Sequence, residues 1–152
     1  MSAIRDLTLM IEEVKPLKDQ EEAVLTEPIS EGKWSLREIV AHLYKWDAYN
    51  TTEMVSRMED GAQLPEFPNH DSFNAAGVKE LEGISVYEIV NRFISQRASL
   101  IEALDAVDPQ AHFTIGKGKR TFTAESFAKI FVHHDGEHLP QIHDQLGQDS
   151  RS

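Results

Sequence analysis

The sequence predicts an all-α four-helix bundle. Four stretches carry apolar residues at helical spacing. Two of those stretches open on capping-box patterns, and the last one turns histidines toward the side its apolar residues face. With 152 residues, 40% of them hydrophobic, the chain has the length of one domain (1–152) and enough apolar side chains for a core.

Ile4, Leu7, Ile11 and Val14 recur at helical spacing, so the first helix is expected to begin near residue 3 and to bend or end at Pro16. Leu17 to Leu25 offers a second, weaker helical turn, and residues 26–33 (TEPISEGK) read as a loop. Ser35-Leu36-Arg37-Glu38 is a capping box with Trp34 placed as its staple. The second helix runs from there to about Glu59, with Gly61 as its stop. Its apolar face is Leu36, Ile39, Val40 and Leu43; His42 stands at the edge of that face, in line with Trp46 and Tyr49. Residues 63–69 form a loop with two prolines, and Asp71 to Glu80 a short helix ended at Gly83. Ser85-Val86-Tyr87-Glu88 is the second capping box. It opens a third helix whose core face is Val86, Ile89, Val90, Phe93, Leu100, Ile101 and Leu104, closed by Asp108-Pro109. Phe113 to Thr123 reads as an extended loop or a frail hairpin, after which Thr121 or Thr123 caps the fourth helix. Long connections thus separate helices two and three, and three and four.

The fourth helix carries the chemistry. Phe127, Ile130 and Phe131 set an apolar face, and at about 100° per residue the face continues through 134, 138 and 142. Two of these positions are histidines, His134 and His138, while His133 and His143 fall on the flank and the surface. A buried imidazole costs free energy unless its nitrogens find partners. One metal ion reached by both rings at i and i+4 meets that need; so do carboxylate or carbonyl partners for each ring. Gly136 and Pro140 lie in the same run, and a proline inside a helix costs about 3 kcal/mol. Either the helix kinks there or it ends near 139. His134-Asp135-Gly136-Glu137-His138 also matches the inverted zinc-protease pattern, in which Glu137 is a general base, but nothing else in an all-α chain supports that family. Asp47 and Glu53 on the second helix could supply a carboxylate, although surface acids are the expectation on so acidic a chain.

Composition narrows the function. The chain has no cysteine, so a transition-metal site must use His, Asp or Glu. Its net charge of −11, from 26 acids against 15 Lys plus Arg, is a poor surface for nucleic acid or an anionic membrane. No run of about 18 apolar residues is present, and the first residues mix acids into their apolar pattern. The expectation is therefore a cytoplasmic protein acting on a small molecule.

The residues from Trp34 to Leu43 (WSLREIVAHL) and from His134 to Ile142 (HDGEHLPQI) resemble the two histidine motifs of the DinB/YfiT-like superfamily. Phe73-Asn74-Ala75-Ala76 and Gly83-Ile84-Ser85 add to the likeness, which runs over nearly the whole chain. The resemblance implies an up-down-down-up four-helix bundle, often dimeric, with nickel or zinc held by His42, His134 and His138. It also implies one of several activities: thiol-dependent S-transfer with bacillithiol or mycothiol, maleylpyruvate isomerisation, or metal-dependent hydrolysis.

Two functions of different class follow. In an enzyme, three neutral imidazoles leave the metal's charge uncancelled, so a bound water or low-molecular-weight thiol is acidified into a nucleophile. Glu137, Asp47 or Tyr49 are then the candidates for moving protons. In a binding protein, the bundle holds or sequesters a small ligand and the histidines are polar core residues.

Overall fold

The longer helices start where the sequence offers a cap. The computed structural model describes residues 2–150, with side chains described through Leu146. Ser2 caps α1 (Ala3–Asp6), and α2 (Leu9–Val14) follows. These are two pieces where the periodicity predicts one. The Ile11 amide bonds the Thr8 carbonyl, which frees the Leu7 carbonyl to accept from Arg97 Nη1 at 3.1 Å. Pro16 then opens a 3-10 turn (Lys15–Asp19), and α3 (Glu22–Thr26) closes the N-terminal segment.

The Ser35 capping box forms in full and starts α4 (Leu36–Tyr49). The same helical path continues through a π turn (Asn50–Met54) and a 3-10 turn (Val55–Arg57), two residues short of the expected end at Glu59. Gly61 turns the chain with φ +84°. Residues 63–64, expected as loop, form strand β1 (Gln63–Leu64), parallel to β2 (Thr114–Ile115). Over 113–123, expected as an extended loop or a frail hairpin, Phe113 and Phe122 form an antiparallel bridge.

Asn69 caps α5 (His70–Glu80), and Ser85 caps α6 (Val86–Ala106) by accepting from the Tyr87 amide. The second capping box is not made: Ser85 bonds the Tyr87 amide instead of that of Glu88, and Glu88 reaches forward to Arg92 at 3.0 Å. Thr123 accepts from the Ser126 amide at the start of α7 (Ala124–Ser150), which runs unbroken through Pro140. The residues beyond 139 are held by burial: Ile142 is fully enclosed in the same apolar cluster as Leu25 and Leu36, and Gln145 is nearly enclosed.

The chain packs as the four-helix bundle expected from sequence, with two apolar clusters. One gathers Leu17, Leu25, Leu36, Leu43, Ile89, Phe93 and Ile142; the other gathers Trp46, Met54, Leu100, Leu104, Phe113, Phe127 and Phe131. On three helices a polar residue stands where one cluster gives way to the other. These are His42 and Asp47 on α4, Arg97 on α6, and Asp135 on α7. Ile130, expected on the core face, is instead 37% exposed, and Ala128 and Asp135 face inward. Among the described residues, no helix is long and apolar enough to cross a membrane.

Candidate metal centre

Helices α4 and α7 bring three imidazoles together. One ring nitrogen from each of His42, His134 and His138 lies within 4.8 Å of the others. The ring centroids are 5.3 Å apart for His42–His134, 4.6 Å for His42–His138 and 4.9 Å for His134–His138. Nitrogens sharing one cation at about 2.0–2.1 Å cannot be more than about 4.2 Å apart. Side-chain rotation of the order of an ångström closes the remaining gap.

Two of the rings have their tautomer fixed. His42 Nδ1 is 2.7 Å from the Ile39 carbonyl, and a carbonyl only accepts, so Nδ1 carries the proton and Nε2 keeps its lone pair. His138 Nδ1 lies 2.7 Å from Gln141 Oε1, with the same consequence. This outer arrangement is what a metal-binding histidine uses to orient its ring. Burial, reinforced by the neighbouring imidazoles, pushes the His42 pKa down to about 3. Burial and the His138 ring likewise lower that of His134 to about 4, against the pull of Asp135 and Glu137. His42 and His134 are thus neutral at pH 7, the form a metal requires. The Trp34 ring lies against His42 at 4.8 Å.

Next to the histidines lies a buried ion cluster. Arg97 donates through Nε and Nη2 to Asp47 (2.7 and 3.2 Å), and through Nη1 and Nη2 to Asp135 (2.7 and 3.1 Å). With the Leu7 carbonyl as a fifth acceptor, all five guanidinium N–H bonds are used. Burial raises the Asp47 pKa to about 6 despite Arg97. Burial works against the Arg97 charge, but the two carboxylates outweigh it and hold its pKa above the ordinary value. Asp47, expected among surface acids, is 1% exposed and committed to Arg97. Its place follows from helical phase, since position 47 continues the line of Leu36, Val40 and Leu43. Arg97 and Asp135 were not foreseen. The available signal was an arginine on the core face of α6, between Phe93 and Leu100.

The other candidates are placed as follows. Tyr49 packs its ring on Trp46 and Phe73, at 6.0 and 5.6 Å, and burial raises its pKa; it is not brought to the triad. Glu53 is half-buried and pairs with Arg57. His143 is exposed and meets Glu13. His133 stays outside the triad, exposed, and with Glu137 lines a cavity of about 270 Å³ that reaches His134. A second cavity, about 250 Å³ and including Lys33 and Gln141, reaches His138.

The comparisons with known proteins agree with this architecture. No curated protein matches the chain. A solved structure, YfiT from Bacillus subtilis, superposes with a TM-score of 0.65 at 16% identity, covering 97% of this chain and 86% of that one. YfiT is described as a probable metal-dependent hydrolase with an unusual four-helix bundle topology. At that identity the likeness concerns the fold. The profile of the DinB superfamily matches residues 5–142, a span that contains all three clustered histidines, and the chain therefore belongs to the DinB superfamily.

Proposed function

We propose that His42, His134 and His138 hold a divalent cation, zinc or nickel, and that the centre serves an enzyme attacking an electrophilic small molecule with water or a low-molecular-weight thiol. The observation that carries this reading is the convergence of three imidazoles, two of them with Nδ1–H committed elsewhere. Three neutral ligands leave the cation's charge uncancelled and positions open, so it would polarise water or a thiol toward the anion. The chain supplies the rest. The Ile39 carbonyl and Gln141 hold two rings in place, and Trp34 covers His42. Glu137, solvated beside His134, is the group placed to accept a proton. Asp47 is locked to Arg97 and takes the role of a positioning residue.

Thiol transfer is kept beside hydrolysis for one reason. The two cavities reach the triad at different histidines, which gives room for two reactants. The test is turnover by zinc- or nickel-loaded protein, with chelated protein and His42→Ala as controls. Metal-dependent cleavage of an aryl ester in water alone supports hydrolysis. Metal-dependent conjugation of an electrophile only when a thiol is supplied supports S-transfer. Loaded protein that does neither, yet retains small ligands, would make this a binding protein.

A further inference from the structure

The cavity that reaches His134 has walls of a defined chemistry. Its volume is about 270 Å³. Apolar cavities of roughly 150 Å³ admit benzene, so this one has room for a substituted ring. Three flat side chains, Trp46, Phe67 and Phe131, line it with ring centroids 6.1 to 6.5 Å apart. Ile130, also lining it, is one of two large apolar side chains exposed among the described residues.

The polar groups fix a polarity. Trp46 Nε1 donates to Asn74 Oδ1 at 2.7 Å. An indole N–H can only donate, so the Asn74 oxygen must face it, and two amide N–H bonds remain as what Asn74 offers the cavity it lines. The indole in turn spends its only polar atom on that bond and acts as an apolar wall. Among the described residues, Glu137 is the one carboxylate lining the cavity, beside the imidazoles of His70, His133 and His134, and no Lys or Arg lines it, so no permanent positive charge is there to pair with an anion.

We infer that this cavity binds a neutral aryl compound bearing a carbonyl acceptor, its ring against the wall formed by Trp46, Phe67 and Phe131 and its oxygen toward the Asn74 amide. As a substrate class this rests on the metal reading above; as a binding site it rests on the walls alone. Asn74 belongs to the Phe73-Asn74-Ala75-Ala76 motif, and this gives that motif two tasks. Phe73 packs on Trp46 at 4.3 Å, and Asn74 both anchors the indole and presents donors.

NMR chemical-shift mapping tests this with acetophenone, cyclohexyl methyl ketone and benzoate, on metal-free and zinc-incubated protein whose zinc content is measured. Acetophenone is expected to shift the Trp46 indole N–H and the Ile130 and Phe131 amides in both samples. It should bind roughly tenfold more tightly than the aliphatic ketone, since aromatic pairs gain beyond area burial. Benzoate should bind more weakly than acetophenone. Phe67→Ala should weaken acetophenone binding. Ile130→Ser, at an exposed position that spares the fold, should do the same, as should Asn74→Asp, which keeps the oxygen facing Trp46 and removes the donors. Shifts centred on Lys33 and Gln141, or no preference for the aryl ketone, would overturn the inference. Binding by protein that takes up no zinc would sink the metal reading and leave the pocket standing; zinc uptake with no shift at the pocket would do the reverse.

Discussion

A histidine whose Nδ1–H is given to an oxygen has one lone pair left, and at His42 and His138 that lone pair is free for a metal. Gln141→Leu removes the acceptor for His138. Zinc affinity, measured by chelator competition, should fall by roughly 10–100-fold while the fold is kept. The same burial that holds His42 and His134 neutral makes the metal-free protein acid-labile. His42 and His134 have folded pKa values of about 3 and 4, below the ordinary imidazole value of 6.5, so the unfolded chain takes up protons first as pH falls. Their stabilising effect is full above 6.5 and is lost downward through that window. Asp47 acts in the opposite sense. Its pKa is raised from 3.8 to about 6, so its effect favours the folded state below 3.8 and is lost as pH rises to about 6. The two histidine shifts together exceed the single carboxyl shift. The urea midpoint of metal-free protein should therefore drop between pH 7 and pH 5, and drop less in His42→Leu. At this scale the sequence was legible in part. Spacing put His134 and His138 on one face, whereas Asp47 was expected among the surface acids although its helical phase follows Leu36, Val40 and Leu43. Which ring nitrogen carries a proton depends on partners such as Gln141, and spacing alone does not reveal that.

At the scale of elements, Arg97 ties α6 to α4 through Asp47, to α7 through Asp135 and to the break between α1 and α2 through Leu7. Removing the guanidinium leaves two buried carboxylates unpaired. Arg97→Ala should cost about 3–5 kcal/mol in chemical denaturation. Replacing all three charged side chains with apolar ones should recover much of that loss. Gly136 offers the opposite change. It sits in α7 at a helical φ, and a Cβ there would meet nothing within 4 Å. Gly136→Ala should stabilise the protein by about 0.5–1 kcal/mol, read from the denaturation midpoint. Helix starts were legible because Ser35, Ser85 and Thr123 cap through local bonds. The split of the first helix was not, because its cause is Arg97, 90 residues away in sequence. The continuation of α7 past Pro140 was left open because local cost and distant burial of Ile142 compete there.

At the scale of the molecule, the two apolar clusters explain why the bundle could be read from periodicity, since each helix shows its buried face as a repeat in its own sequence. The parallel pairing of Gln63–Leu64 with Thr114–Ile115 has no such signature, being two residues long and joined across the third helix. The polar layer between the clusters is the part of the core that a cation would complete. Zinc at 100 times its dissociation constant should add about 2.7 kcal/mol to stability, seen as a rise in melting temperature that His42→Ala abolishes. The most direct test is metal content by elemental analysis of protein purified without a nickel column, for wild type, His42→Ala and His138→Ala. The expected result is near-stoichiometric zinc or nickel in the wild type and loss of it in both variants. Wild-type protein that stays metal-free after incubation with zinc and with nickel would contradict the metal centre.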